Sequence, residues 1–76
     1  MITPRQRNLS DIAEIAERNH YTVEDILGPK RFKHLVAVRR LCIYMLRDKG
    51  YSTTEIGRIM KRDHSTIVVA LQKRDV

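Results

Sequence analysis

Ser52-Thr53-Thr54-Glu55-Ile56-Gly57-Arg58-Ile59-Met60, running on into Lys61-Arg62-Asp63-His64-Ser65-Thr66-Ile67, is the stretch whose reading decides the fold. Ser52 to Glu55 has the pattern of a capping box. The hydroxyl accepts from a free backbone N–H three residues on, and the carboxylate accepts in return from the cap residue. A short helix is therefore predicted, with Ile56, Ile59 and Met60 pointing inward. Lys61-Arg62 is a tight connection. Asp63 is the N-cap candidate of a second helix, from His64 to about Lys73, that buries Ile67, Ala70 and Leu71.

Two short helices joined by about three residues describe a helix-turn-helix. The second helix of such a unit enters the major groove with its N-terminal residues at the base edges. Side chains there must hydrogen-bond without holding the helix away. Asp63, His64, Ser65 and Thr66 meet that demand, with Arg62 just ahead of them. An aspartate accepts from cytosine N4, and a threonine methyl packs on a thymine methyl while its hydroxyl bonds a base or a phosphate. Gly57 is read as the place where the two helices approach closely, in preference to an incidental helix glycine costing about 1 kcal/mol. Val69 falls beside Ser65 and Gln72 on the helical wheel, away from Ile67 and Leu71. Contact with thymine methyls and plain solvent exposure are level readings for it.

Outward from this stretch every apolar segment keeps helical spacing. Leu35, Val38, Leu41, Cys42 and Met45 predict one buried face of a long helix, about Lys33 to Lys49, closed by Gly50 as a left-handed cap. Lys33, Arg40 and Arg47, seven apart, fall on its opposite face. Thr22-Val23-Glu24-Asp25 is another capping box, opening a short helix that stops at Gly28-Pro29. Leu9, Ile12, Ala13, Ile15 and Ala16 give a first helix from about Ser10 to Asn19. No strand-like alternation occurs. The expected fold is all-α, a small bundle of four to five helices with a C-terminal helix-turn-helix, one domain over 1–76 with its core at about 10–74.

Charge is unevenly distributed. The 76 residues carry a net charge of +6. Residues 1–29 hold 3 basic and 5 acidic groups, residues 30–49 hold 7 basic groups and Asp48 alone, and residues 50–76 hold 5 basic and 3 acidic. A local basic patch points to a polyanionic partner more strongly than a diffuse one. A single cysteine excludes an internal disulfide and fits a reducing compartment. Met1 to Gln6 contain no apolar leader run, so a cytoplasmic location is expected. The Met1 start favours a free-standing small protein from a bacterium or phage over an excised piece.

Ser52-Thr53-Thr54-Glu55-Ile56-Gly57 followed by Arg62-Asp63-His64-Ser65-Thr66-Ile67 resembles the signature of the C-terminal DNA-binding domain of the bacterial replication initiator DnaA, of the Trp-repressor-like helix-turn-helix type. The resemblance reaches back to about residue 10. Thr22 to Leu27 is similar to the family's short second segment, Lys30-Arg31-Phe32-Lys33 to its basic loop, and Arg39-Arg40 to the pair in its long helix. The resemblance implies that Asp63, His64 and Ser65 read bases in the major groove and that Thr66 contacts base or phosphate. It implies an arginine of the basic loop in the adjacent minor groove, with Arg31 the leading candidate and Lys30 and Lys33 also open. Arg39, Arg40, Arg47 and Lys61 would hold phosphate, and Ser52 and Thr53 would do so through a helix N-terminus. The expected partner is double-stranded DNA, with replication proteins a further possibility.

The sequence departs from the family in three ways. The loop around Arg31 contains Phe32, which leaves Arg31, Lys30 and Lys33 all open as the minor-groove residue. Lys61 stands where the family usually has Gly-Gly, which predicts a shifted reading helix and an altered target. No Gly-x-x-x-x-Gly-Lys-Ser/Thr phosphate cradle is present among three glycines, so no ATPase activity and no cofactor are expected.

Rival readings are weaker. His20, His34, His64 and Cys42 have no zinc-like spacing, and Cys42 sits at a core position unsuited to catalysis. Tyr21, Phe32, Tyr44 and Tyr51 are too scattered for a single-strand stacking platform. Tyr44 alone is expected to be exposed beside the Arg40 and Arg47 face, near DNA or a partner. A membrane-facing role for the Lys33, Arg40, Arg47 stripe fails because the opposite face of that helix is needed for the core. The sequence thus predicts a monomeric DNA-binding regulator or accessory factor, in replication or transcription, with no enzymatic activity. The alternative is a protein–protein adaptor of the replication machinery that keeps the fold without DNA binding.

Overall fold

Three helices of the chain end in the same way, and that repeated ending sets where the next helix begins. The computed structural model describes residues 2–74. They form α1 (Pro4–Arg18), α2 (Val23–Leu27), α3 (Lys33–Asp48), α4 (Thr53–Met60) and α5 (His64–Arg74). None of the described residues is in a strand, so the chain is all-α as the spacing predicts.

At the end of α1 the Tyr21 N–H donates to Ala16 O at 2.8 Å and the His20 N–H to Glu17 O at 3.1 Å. After α3 the Tyr51 N–H reaches Leu46 O at 3.4 Å and Gly50 N–H reaches Arg47 O at 2.9 Å. After α4 the Arg62 N–H reaches Gly57 O at 2.8 Å and Lys61 N–H reaches Arg58 O at 3.3 Å. Each is the double bond pattern that satisfies the last carbonyls of a helix, and each needs one left-handed residue. His20 (φ 64°), Gly50 (φ 98°) and Lys61 (φ 55°) occupy that position. Two residues later comes a cap: Thr22, Ser52 and Asp63. The Thr22 and Ser52 side chains accept from the amides of Asp25 and Glu55, at 3.2 Å in both cases. The Asp63 carbonyl accepts the first backbone hydrogen bonds of α5, from the Thr66 N–H at 3.1 Å and the Ile67 N–H at 3.4 Å.

The chain divides into two compact units, one ending at Arg39 and one beginning at Arg40. In the first, α1 packs on α2. Ile12, Ala16, Ile26, Leu35 and Val38 are buried there. The first helix begins six residues before the predicted Ser10. Thr3 and Gln6 form a capping box, with Gln6 N to Thr3 Oγ1 at 3.2 Å and Thr3 N to Gln6 Oε1 at 2.9 Å, and Pro4 sits at the first helical position. The apolar stripe starts only near Leu9, so periodicity alone missed this polar opening turn.

In the second unit α4 packs on α5. Cys42, Ile43 and Leu46 of α3, Ile56 and Met60 of α4, and Ile67 and Ala70 of α5 are buried. Leu41 corrects the predicted face, being 48% exposed. At 100° per residue it lies roughly 105° from the centre of the stripe that runs through Leu35, Val38, Cys42 and Leu46. Tyr44 is corrected as well. It is half-buried, its hydroxyl donates to Ala70 O at 3.3 Å, and the Arg74 guanidinium lies 5.0 Å over its ring centre. Arg74 also forks onto Asp48, with both N–H···O contacts at 2.8 Å. The end of α5 is thereby fastened to α3.

Candidate nucleic-acid interface

Gly57 fixes the helix-turn-helix geometry. A Cβ at Gly57 would come within 2.9 Å of Arg62 O and 3.7 Å of His64 N. Its close neighbour is therefore the turn backbone of residues 62–64, a more specific reason for glycine than the predicted crossing of helix bodies. The same turn donates its Arg62 N–H to the Gly57 carbonyl. Helix and turn are thus in direct backbone contact, and any side chain here would separate them.

Lys61 supplies the left-handed residue that would ordinarily be glycine. An L-residue there costs roughly 1–2 kcal/mol, so the turn carries a little strain. Three residues, Lys61, Arg62 and Asp63, lie between α4 and α5, matching the predicted connection.

Asp63, His64, Ser65 and Thr66 are all exposed, and Arg62 is half-buried. They are ordered by their own contacts. His64 Nε2 lies 2.8 Å from Thr53 Oγ1, which ties the first residue of α5 to the first residue of α4. The Ser65 hydroxyl donates to the Asp63 carboxylate at 3.2 Å. Asp63 thus caps α5 by position through its carbonyl, while its carboxylate holds Ser65. Val69 is 51% exposed, as the helical wheel requires.

Ser52 is committed to its capping box. Its N–H donates to Glu55 Oε1 at 3.1 Å, and its hydroxyl takes the Glu55 amide. These bonds, the backbone one foremost, hold the Glu55 carboxyl below the usual range. A carboxylate therefore already sits at the α4 N-terminus, where Ser52 and Thr53 were expected to hold phosphate. Lys61 is exposed, as is Arg47, whose guanidinium donates to Tyr51 O at 3.0 Å. Arg40 is half-buried.

The basic loop belongs to the first unit, and its conformation has a cause the sequence did not disclose. Arg39, expected to hold phosphate, is only 7% exposed. Its Nε donates to Ile26 O at 2.8 Å, its Nη2 to Asp25 O and Gly28 O at 2.8 Å each, and its Nη1 to Lys30 O. A guanidinium has five N–H donors in a fixed fork, and here the fork is filled by backbone carbonyls. Arg39 is therefore withdrawn from the phosphate set. It instead serves the five-residue α2, which has no basic residue in its own last turn. A positive charge at a helix C-terminus meets both the dipole and the orphan carbonyls. A helix this short does not persist by itself.

Above that anchor, Lys30, Arg31, Phe32 and Lys33 are exposed. Lys30 Nζ approaches Asp25 Oδ1 at 3.4 Å. The Thr22 backbone N–H first, then the Thr22 hydroxyl and Lys30, hold the Asp25 carboxyl below its ordinary value. Phe32 is 63% exposed, a large apolar side chain set among cations. Tyr21 and His34 meet nearby, hydroxyl to Nδ1 at 3.1 Å.

No group of three or more potential metal ligands occurs among the described residues. Cys42 is buried, and burial pushes its thiol up to about 11, so it stays protonated at neutral pH. Among the described residues no helix is long and apolar enough to cross a membrane.

Comparison with known proteins bears on this surface. The bacterial DnaA protein helix-turn-helix matches residues 5–73. The chromosomal replication initiator protein DnaA of Mycoplasma pneumoniae is 38% identical over 63 residues, covering 82% of this chain and 14% of that protein. The initiator of Lactococcus lactis subsp. cremoris is 32% identical, covering 90% of the chain and 17% of the relative. That of Bifidobacterium animalis subsp. lactis is 38% identical over 61 residues, covering 78% and 10%. The chain thus spans less than a fifth of the length of these relatives. No solved structure matches it significantly.

Proposed function

The chain belongs to the bacterial DnaA helix-turn-helix family, and from that premise we propose that it binds double-stranded DNA in a sequence-dependent manner. The observation that carries this reading is the exposed run Asp63 to Thr66 at the start of α5, held in place by the Gly57 turn contact and the His64 to Thr53 hydrogen bond. A recognition helix needs that combination: polar, short and pre-ordered at its N-terminus.

In this reading Asp63, His64 and Ser65 meet base edges, Thr66 meets base or phosphate, and Val69 meets thymine methyls one turn on. With Nε2 held by Thr53, the His64 Nδ1 is the ring nitrogen left for a nucleobase. Arg62 and Lys61 flank the groove. Arg40 and Arg47 take phosphates, and at the start of α4, where the Ser52 amide and hydroxyl are spent on Glu55, the Thr53 amide takes another. Arg31 is the minor-groove residue of the basic loop, with Lys30 and Lys33 on the backbone. No catalytic step is assigned to these residues, since the sequence contains no phosphate cradle.

The protein would act by occupying sites, as an accessory factor, competitor or regulator at origin-like or promoter sequences. Its setting would be a bacterial or phage-infected cytoplasm, on the nucleoid, as a monomer. The test is selection of duplexes from a randomised pool, then fluorescence anisotropy of the selected duplex with wild type and D63A/H64A. A preferred sequence is expected, with affinity for it falling by at least tenfold in the variant, on the order of 1–3 kcal/mol for each lost base contact. Absence of any duplex binding at low salt, with a replication protein bound instead, would establish the adaptor reading.

A further inference from the structure

We propose that Arg39 is the positioning residue of the basic loop: it acts on DNA through Arg31, by fixing the backbone that carries it. This inference rests on the duplex-binding reading above.

The argument starts from where the four acceptors lie. Asp25 and Ile26 belong to the last turn of α2, Gly28 is its C-cap, and Lys30 is the first basic residue of the loop. One planar group therefore holds a helix end, the chain reversal after it and the residue immediately before Arg31. The buried fork fixes these carbonyls relative to one another, because guanidinium geometry permits little freedom. Arg39 is itself anchored in α3, only six residues after the helix begins at Lys33. The loop is thus clamped at the carbonyl on the N-terminal side of Arg31 and at the start of α3 on the other side. At that second end the Phe32 carbonyl accepts the Val36 N–H at 2.9 Å.

A guanidinium buried on four carbonyls is withdrawn from direct contact with a phosphate. Its effect on binding comes instead from sparing the loop the ordering that a flexible segment undergoes on association. That predicts a particular pattern of energetics. Loss of the clamp weakens binding without changing the number of counterions released, and the weakening vanishes once the residue being positioned is gone.

Two variants test this from opposite sides. R39K keeps the positive charge and loses the fork. G28A keeps Arg39 and every cation, but its Cβ would fall 2.7 Å from Glu24 O and displace the Gly28 carbonyl. Should R39K fail to fold, shown by circular dichroism, G28A carries the test alone. Each is measured by anisotropy on the duplex selected with wild-type protein, across a salt series, alone and combined with R31A.

The expected result is a loss of about tenfold in affinity for each variant, at an unchanged slope of log K against log salt. In the R31A background the further loss should be under about twofold. Wild-type affinity in the folded variants overturns the proposal, as does a loss that persists undiminished beside R31A, which marks a merely structural role. A slope reduced by about one in Arg39→Met, which removes the charge that R39K keeps, makes Arg39 a phosphate contact and overturns it too. A wild-type protein that binds no duplex removes the underlying reading instead, and is recognised before any variant is compared.

Discussion

The two connectors that expose polar and basic side chains, residues 28–32 and residues 61–63, are ordered by different physics. The turn between α4 and α5 is held by neighbours in sequence. Gly57 gives it room, Lys61 takes the left-handed step, and the Arg62 amide returns to Gly57. The loop before α3 is held by a residue that lies beyond it, Arg39, whose guanidinium collects carbonyls nine to fourteen positions earlier. Local ordering of the first kind tolerates change elsewhere in the chain. Ordering of the second kind concentrates in one side chain, so it should be lost all at once.

That contrast sets the largest expected effect. Replacing Arg39 by methionine leaves four carbonyls without their donor in a mostly buried site. A loss on the order of 3 kcal/mol is expected, because buried unsatisfied groups cost about 1–3 kcal/mol each and relaxation recovers part of the sum. A domain of this size would show it as a fall in Tm of roughly 12–24 °C. A fall of only a few degrees would mean that the loop is ordered without the clamp.

Gly57→Ala probes the turn. The new Cβ meets backbone at 2.9 Å, and backbone cannot swing aside as a flexible side chain can. Alanine's better helix propensity offsets about 1 kcal/mol of the penalty. A net loss of about 1–2 kcal/mol by chemical denaturation is expected, and a stabilised variant would show that the turn has slack.

Lys61→Gly should move the other way. Relief of left-handed strain of roughly 1–2 kcal/mol exceeds the added chain entropy of glycine, about 0.5–1 kcal/mol, for a net gain of about 0.5 kcal/mol. A lower Tm in the glycine variant would mean that the lysine side chain contributes a contact outweighing the strain.

Acid separates the regions less sharply, since both have capping carboxylates. Asp25, Asp48 and Glu55 all sit below their ordinary values, held respectively by Thr22, by Arg74 and by Ser52. A carboxylate with a depressed folded pKa contributes stability above its unfolded pKa, near 3.9 for Asp and 4.3 for Glu, and that contribution is lost as pH falls through the folded value. Thermal melts should therefore hold level from neutral pH to about 5 and decline below about 4. E55Q should flatten part of that decline, and a decline identical to wild type would remove Glu55 from the account. The smallest effect is expected from F32A: a loss of a few-fold in duplex affinity, read by anisotropy, with an unchanged salt slope, because an apolar contact releases no counterion.

The same contrast explains what the sequence disclosed. The capping boxes at Thr22 and Ser52, the stop at Gly50 and the Asp63 cap are encoded within four residues, and all of them were legible. The reading surface, Asp63 to Thr66 with Val69, is exposed where the wheel put it. Arg39 was misread because its partners are carbonyls, which have no residue identity to recognise, and because an arginine beside Arg40 on a basic helix looks like a phosphate contact. Its position in the buried stripe, one residue after Val38 and three before Cys42, was the available signal. Leu41 was misread for the complementary reason: hydrophobic identity outweighed an angle that already placed it off the core. The His64 to Thr53 bond joins residues eleven apart through two side chains, and no local pattern announces such a pair.

The most direct test of the central claim is a two-dimensional amide NMR titration of the protein with the selected duplex. The account predicts that resonances of residues 30–33 and 62–69 shift first and furthest, and that added salt reverses the shifts. An unperturbed spectrum at low salt, or perturbation confined to α1, would contradict it.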